Sequence, residues 1–95
     1  MSLNNLYKNK DIILKIAKQH HANNVRVFGS VARGEENENS DIDLLVSFQS
    51  GASLLDQAGL MSELSMLLGK KVDVVSDRAL NKYIRNQVTN EALPL

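Results

Sequence analysis

The chain has 95 residues, a length that suits one domain, 1–95, with a modest core that a partner chain would help to bury. It carries no cysteine, and its 11 basic and 11 acidic side chains cancel, which excludes disulfides and thiolate metal sites and removes the global field that gathers nucleic acid or an anionic membrane. No apolar run nears the roughly 20 residues of a bilayer span and no signal-peptide order opens the chain, so the expectation is a cytoplasmic protein with no membrane and no direct nucleic-acid partner.

From Lys8 to His21, Ile12, Ile13, Ile16 and Ala17 recur at helical spacing, with lysines mostly on the other side, and predict an amphipathic helix. His20 and His21 close it, favoured by the helix dipole, and Asn23-Asn24 are read as a turn. A first strand follows over Val25 to Phe28 and ends at Gly29. Ser30 to Arg33 can start a brief helix with Ser30 as N-cap, before Gly34 stops it. The run from Glu35 to Ser40 is too polar to bury and reads as a surface loop.

A second strand over Asp41 to Phe48 places Ile42, Leu44, Val46 and Phe48 on one face and Asp41, Asp43, Leu45 and Ser47 on the other. Ser53 is read as the cap of a helix rich in Leu and Met that Gly69 ends, with those side chains taken as core. A third strand, Lys71 to Val75, sets Val72 and Val74 opposite Asp73. From Ser76 to about Val88 the pattern is helical again, and Arg78, Lys82 and Arg85 make a basic stripe whose default explanation is a solvated face. The apolar end, Glu91-Ala92-Leu93-Pro94-Leu95, leaves two readings open, docking on another chain or a chain that stops short.

Carboxylates at i and i+2 of a strand share a face, roughly 6.5 to 7 Å apart. Uncompensated like charges that close repel and raise one another's pKa, so a strand that displays two of them usually has a cation to hold or a proton to move. If the second and third strands are neighbours, Asp73 joins Asp41 and Asp43 around one small volume. Such an oxygen set suits Mg²⁺, which takes a few carboxylates together with substrate phosphates and water, and two such ions can clamp an in-line displacement at phosphorus. Gly29, Ser30 and the amides around them are candidates for binding the phosphates, with Arg33 an added charge. Gly29 is expected there because a Cβ would meet the triphosphate.

Each piece is common alone. In combination, the run GSVARGEENENSDIDLLV resembles the nucleotidyltransferase superfamily related to DNA polymerase beta, and the chain length is similar to that of its minimal nucleotidyltransferase branch. The resemblance covers nearly the whole chain. It implies an α/β (α+β) fold with a small mixed β-sheet and helices packed mainly on one face, Mg²⁺ dependence and an NTP donor. It makes Gly29 and Ser30 nucleotide-binding, with Asp41, Asp43 and Asp73 as metal ligands with catalytic roles. Many relatives carry a basic residue directly after the Gly-Ser, where this chain has Val31, which shifts phosphate binding onto Arg33 or the basic helix.

The resemblance further implies pairing with a HEPN-domain toxin, with the minimal nucleotidyltransferase acting as an antitoxin that adenylylates a tyrosine of its partner from ATP. The chain has no room for an acceptor-holding domain, so another molecule must present the hydroxyl. Two alternatives keep the fold: a nucleotide-binding antitoxin that inhibits by occlusion alone, and transfer to a small molecule, for which a dimer would build the acceptor pocket. A homo- or hetero-oligomer fits each reading. An acidic cluster with no cation to hold is a costly feature in a pure binding module, which favours retained chemistry.

Overall fold

A computed structural model describes residues 2–35, 37 and 40–95; the expected surface loop over 35–40 lies partly outside them. The order is α1 (Leu3–Lys8), α2 (Lys10–Gln19), β1 (Ala22–Phe28), α3 (Gly29–Arg33), β2 (Ile42–Phe48), α4 (Leu54–Leu68), β3 (Val72–Ser76), a 3-10 turn (Asp77–Ala79), α5 (Lys82–Glu91) and β4 (Leu93–Pro94). The four strands form one mixed sheet in the order β3-β2-β1-β4. β2 and β3 run parallel and α4 supplies the crossover that parallel neighbours require, while β1 is antiparallel to both β2 and β4.

Alternation in the strands decides which face is dry. Val25, Val27, Ile42, Leu44, Val46, Val72 and Val74 point to one side and pack with Leu6 of α1, Ile13 and Ala17 of α2, and Leu60, Leu64 and Leu68 of α4. That is the expected arrangement of helices mainly on one face of a small mixed sheet. At about 25 cal/mol per Å², each of these fully buried Leu and Ile side chains contributes about 2 kcal/mol, so the helical layer fixes the sheet and leaves its other face for polar groups. On that second face Leu45 is also fully buried although it lies outside the main cluster.

Several local expectations are corrected by tertiary contacts. The helix expected over Lys8 to His21 is α2, and a further helix, α1, precedes it and meets it at Asn9, which closes α1 and opens α2. Asn23 and Asn24 belong to β1, at an irregularity in its pairing with β2 where Asn24 takes a positive φ of 50°. The last helix starts only at Lys82, after the 3-10 turn. The C-terminal residues pair with the chain's own β1, Leu93 with Val27 and Pro94 with Arg26, and Leu95 N–H donates to Val25 O at 3.0 Å. The leucine-rich helix is not all core: Leu54, Leu55 and Met66 of α4 are more than 80% exposed.

Other expectations hold. Ser53 caps α4 in a reciprocal box in which its Oγ accepts from Asp56 N–H and Asp56 Oδ2 accepts from Ser53 N–H at 3.0 Å. Gly69 ends the helix in a left-handed C-cap. The two histidines sit at the end of α2, His20 Nε2 3.0 Å from Glu63 Oε1 and His21 Nδ1 3.2 Å from Asp56 Oδ1. No helix among the described residues is long and apolar enough to cross a membrane.

Candidate active site

β1 runs extended to Phe28, and the chain then reverses into α3 through Gly29, whose φ of +76° lies in the left-handed region that L side chains rarely adopt. Phe28 is the N-cap residue and makes no side-chain capping bond, so Ser30 is the second helical residue and not the cap. Val31 is buried, 2% exposed, within the main core. A hydrophobic residue directly after the Gly-Ser therefore has a packing reason, since a cation there would be desolvated.

The register of the sheet assembles the acids. Asp43 is paired with Phe28 on one side and with Asp73 on the other, so Asp43 and Asp73 stand side by side on the second face of the sheet, next to the Gly29 reversal. A Cβ built on Gly29 would fall on Asp43 Oδ2 and lie 3.1 Å from its Cγ. The glycine thus has a reason inside the protein itself: its missing side chain is the space that the Asp43 carboxylate fills. Asp41 immediately precedes β2, and its Oδ2 lies 3.8 Å from Lys71 Nζ in a pair that is largely solvent-screened.

Burial pushes the Asp43 carboxyl above the usual carboxylate range, and the charges of Asp73, Asp41 and Glu91 push the same way, with the Arg33 guanidinium partly offsetting them. Negative charge is therefore concentrated around Asp43 and only partly offset by Arg33. Among the described residues no group of three or more His, Cys, Asp or Glu side chains is placed to hold a metal ion, so Asp41, Asp43 and Asp73 are not a ready-made three-carboxylate set. The donor chemistry nevertheless fits Mg²⁺, which commonly uses one or two carboxylates and completes its shell with water and phosphate oxygens. Asp43 and Asp73, with Asp41 within charge reach, are the residues that would hold it.

Arg33, expected as an added phosphate charge, directs Nε to Glu35 Oε2 at 3.0 Å and Nη1 to Glu91 Oε1. The same Glu91 oxygen accepts the Gly29 N–H at 3.1 Å. Sequence reasoning missed Glu91: it is a lone carboxylate in the last turn of a helix, 62 residues from the glycine it binds. Arg78, Lys82 and Arg85 of the basic stripe are all exposed, as expected of a solvated face. Arg78 and Arg85, with Arg26, Asp77 and Thr89, also line an open surface depression of about 310 Å³. Arg26 is anchored there by Asp77 Oδ2 at 3.2 Å, which also accepts from Ser47 Oγ at 2.6 Å. A larger concavity of about 460 Å³ lies by Phe48, Gln57 and Ser76, at the ends of β2 and β3 away from the acids, and contains none of them.

A Gly-Ser reversal leading from one strand into a short helix, and two strand aspartates in register beside it, are the parts of a polymerase beta-type nucleotidyltransferase. The family described as "Polymerase beta, Nucleotidyltransferase" matches residues 10–95, and the chain belongs to it. Three similar proteins narrow the comparison. The protein adenylyltransferase MntA of Thermococcus cleftensis is 42% identical over 69 residues, covering 73% of this chain and 70% of that protein. A solved structure of a candidate minimal nucleotidyltransferase superposes with a TM-score of 0.90 at 50% identity, covering 100% of this chain and 97% of the other. A solved toxin-antitoxin with AMP-PNP gives 0.78 at 25% identity, covering 90% of this chain and 71% of the matched one.

Proposed function

We propose that this protein transfers AMP from ATP to a hydroxyl of a partner protein, a tyrosine of a HEPN-domain toxin, and so acts as its antitoxin. The observation that carries the reading is the in-register pair Asp43–Asp73 beside the Gly29 reversal. The name of the MntA relative and the AMP-PNP in the toxin-antitoxin structure support adenylyl transfer in this context.

In the proposed reaction the acceptor oxygen forms a bond to the α-phosphorus of ATP, the bond from that phosphorus to the bridging oxygen breaks, and pyrophosphate leaves. Mg²⁺ held by Asp43 and Asp73, with Asp41 adding negative charge nearby, would supply charge neutralisation for the triphosphate. The chain's own groups do the rest. Asp73 takes the proton of the attacking hydroxyl. Ser30 Oγ and the amides of α3 that follow Gly29 orient the phosphates, because the first N–H groups of a helix have no intrahelical acceptor and the Gly29 amide is taken by Glu91. The acceptor hydroxyl is presented by another molecule beside the half-buried Asp43 and Asp73.

The test is to incubate the protein with ATP, Mg²⁺ and the HEPN-domain protein encoded beside it, and to weigh that protein intact. Mass added in steps of AMP, abolished by Asp41→Asn with Asp43→Asn, is the expected result. Full neutralisation of the toxin by the Asn variant with no added mass would replace catalysis by occlusion, and transfer unaffected by the substitutions would remove the acids from the mechanism.

A further inference from the structure

We infer that Glu91 is a positioning residue of the nucleotide seat, the group that holds the Gly-Ser helix in place and sets which donors are left for phosphate. This rests on the nucleotidyltransferase reading above and assigns a further residue to that site.

The geometry is a closed circuit. α3 has five residues, too few to be stable as an isolated helix. Glu91 Oε1 accepts from its first residue, through Gly29 N–H at 3.1 Å, and from its last, through Arg33 Nη1. One carboxylate oxygen therefore ties both ends of the helix to α5. Its own placement is set two residues later, where Leu93 pairs with Val27 and Pro94 with Arg26. β1 is the strand that delivers Gly29. The path from β1 through Gly29, α3, Arg33 and Glu91 returns through β4 to β1, so the carboxylate and the turn it binds are fixed by the same ladder. The Glu91 side chain is only 20% exposed, which limits the water that could compete for these bonds.

Two consequences follow for the seat. The Gly29 amide and one arm of Arg33 are already taken by an anion, which leaves Ser30 Oγ and the next amides of α3 as donors to phosphate. Arg33 acts through Glu91 as a brace, and its other arm is held by Glu35. A negative charge at the N-terminal end of α3 also offsets the helix's pull on a second anion, so the seat gains geometry at some loss of raw attraction.

The experiment compares wild type, Glu91→Ala, Glu91→Gln, Arg33→Met and Glu91→Ala with Arg33→Met. ATP affinity is measured by calorimetry with Mg²⁺ present, at a temperature where thermal melts show every variant folded. Glu91→Ala removes the acceptor for the Gly29 amide, and affinity falls about tenfold. Glu91→Gln keeps a carbonyl oxygen for that amide, and affinity stays within about threefold of wild type. Arg33→Met costs less than Glu91→Ala, and the double variant matches Glu91→Ala alone, because Arg33 works only through the carboxylate. Wild-type affinity in folded Glu91→Ala overturns the inference, as does a larger loss in Arg33→Met, which would make Arg33 a direct phosphate ligand. Failure of the wild type itself to bind ATP removes the nucleotidyltransferase reading and this inference with it, so the control separates the two failures.

Discussion

Replacing Gly29 by alanine tests the architecture of the site at its tightest point. The backbone at φ +76° costs an L residue about 1–2 kcal/mol. The new methyl would fall on Asp43 Oδ2, and turning that carboxylate off its rotamer adds about 1 kcal/mol. The sum, about 2–3 kcal/mol, lowers the melting midpoint of a domain this size by about 10 °C or more. Activity suffers separately, because a carboxylate displaced by about 1 Å from a reacting centre can cost about 100-fold. Urea unfolding and ATP-dependent transfer, both well below the melting midpoint, read the two effects. A cycle with Asp43→Ala isolates the steric part: with the carboxylate gone, Gly29→Ala pays chiefly the backbone cost, and the coupling is about 1 kcal/mol. Equal stability costs in both backgrounds together with undiminished transfer by Gly29→Ala would refute the claim that glycine is there to make room for Asp43.

Two further outcomes bear on charge. Asp43 holds its proton more tightly folded than unfolded, mainly through burial and then through Asp73 and Asp41; its ionised form therefore opposes folding, and the associated stability is lost as pH rises from the ordinary carboxylate range through the raised one. Asp43→Asn should then be more stable than wild type at about pH 7 without Mg²⁺, with the gain shrinking toward about pH 3, and a destabilised Asn variant in urea unfolding would contradict that sign. Asp56 is shifted down, first by the Ser53 backbone bond and then by His21, so its contribution is present above the ordinary carboxylate range and lost as pH falls through the lowered one. Ser53→Ala breaks the reciprocal cap at a cost of about 1 kcal/mol; an unchanged midpoint by circular dichroism would show that the cap adds nothing.

Much of the site was legible because strands impose a period of two. Alternation alone put Asp43 on the face of β2 opposite Ile42 and Leu44, and Asp73 opposite Val72 and Val74 in β3, while Asp41, read as the first residue of that strand, lies just before β2. Spacing likewise exposed the leucine-rich helix and its Ser53 start. Other features gave no local signal. The Val31 position reads as a departure beside a phosphate turn, yet it is buried in the core. Leu54, Leu55 and Met66 read as core and are exposed, because α4 is apolar on more sides than one sheet can cover.

Residue order by itself determined the core of most helices and strands, the faces on which Asp43 and Asp73 stand and the Gly-Ser to Asp-x-Asp spacing, since each depends on neighbours within a few positions. Tertiary structure decided that Asp43 lies in register with Asp73, that the missing Cβ of Gly29 is filled by a carboxylate, that the last residues close the sheet on β1, and that Glu91 reaches back 62 positions to the turn. Those facts arise from pairings between segments far apart in the chain, whose register is set only when the apolar faces of all the strands pack together under the helices.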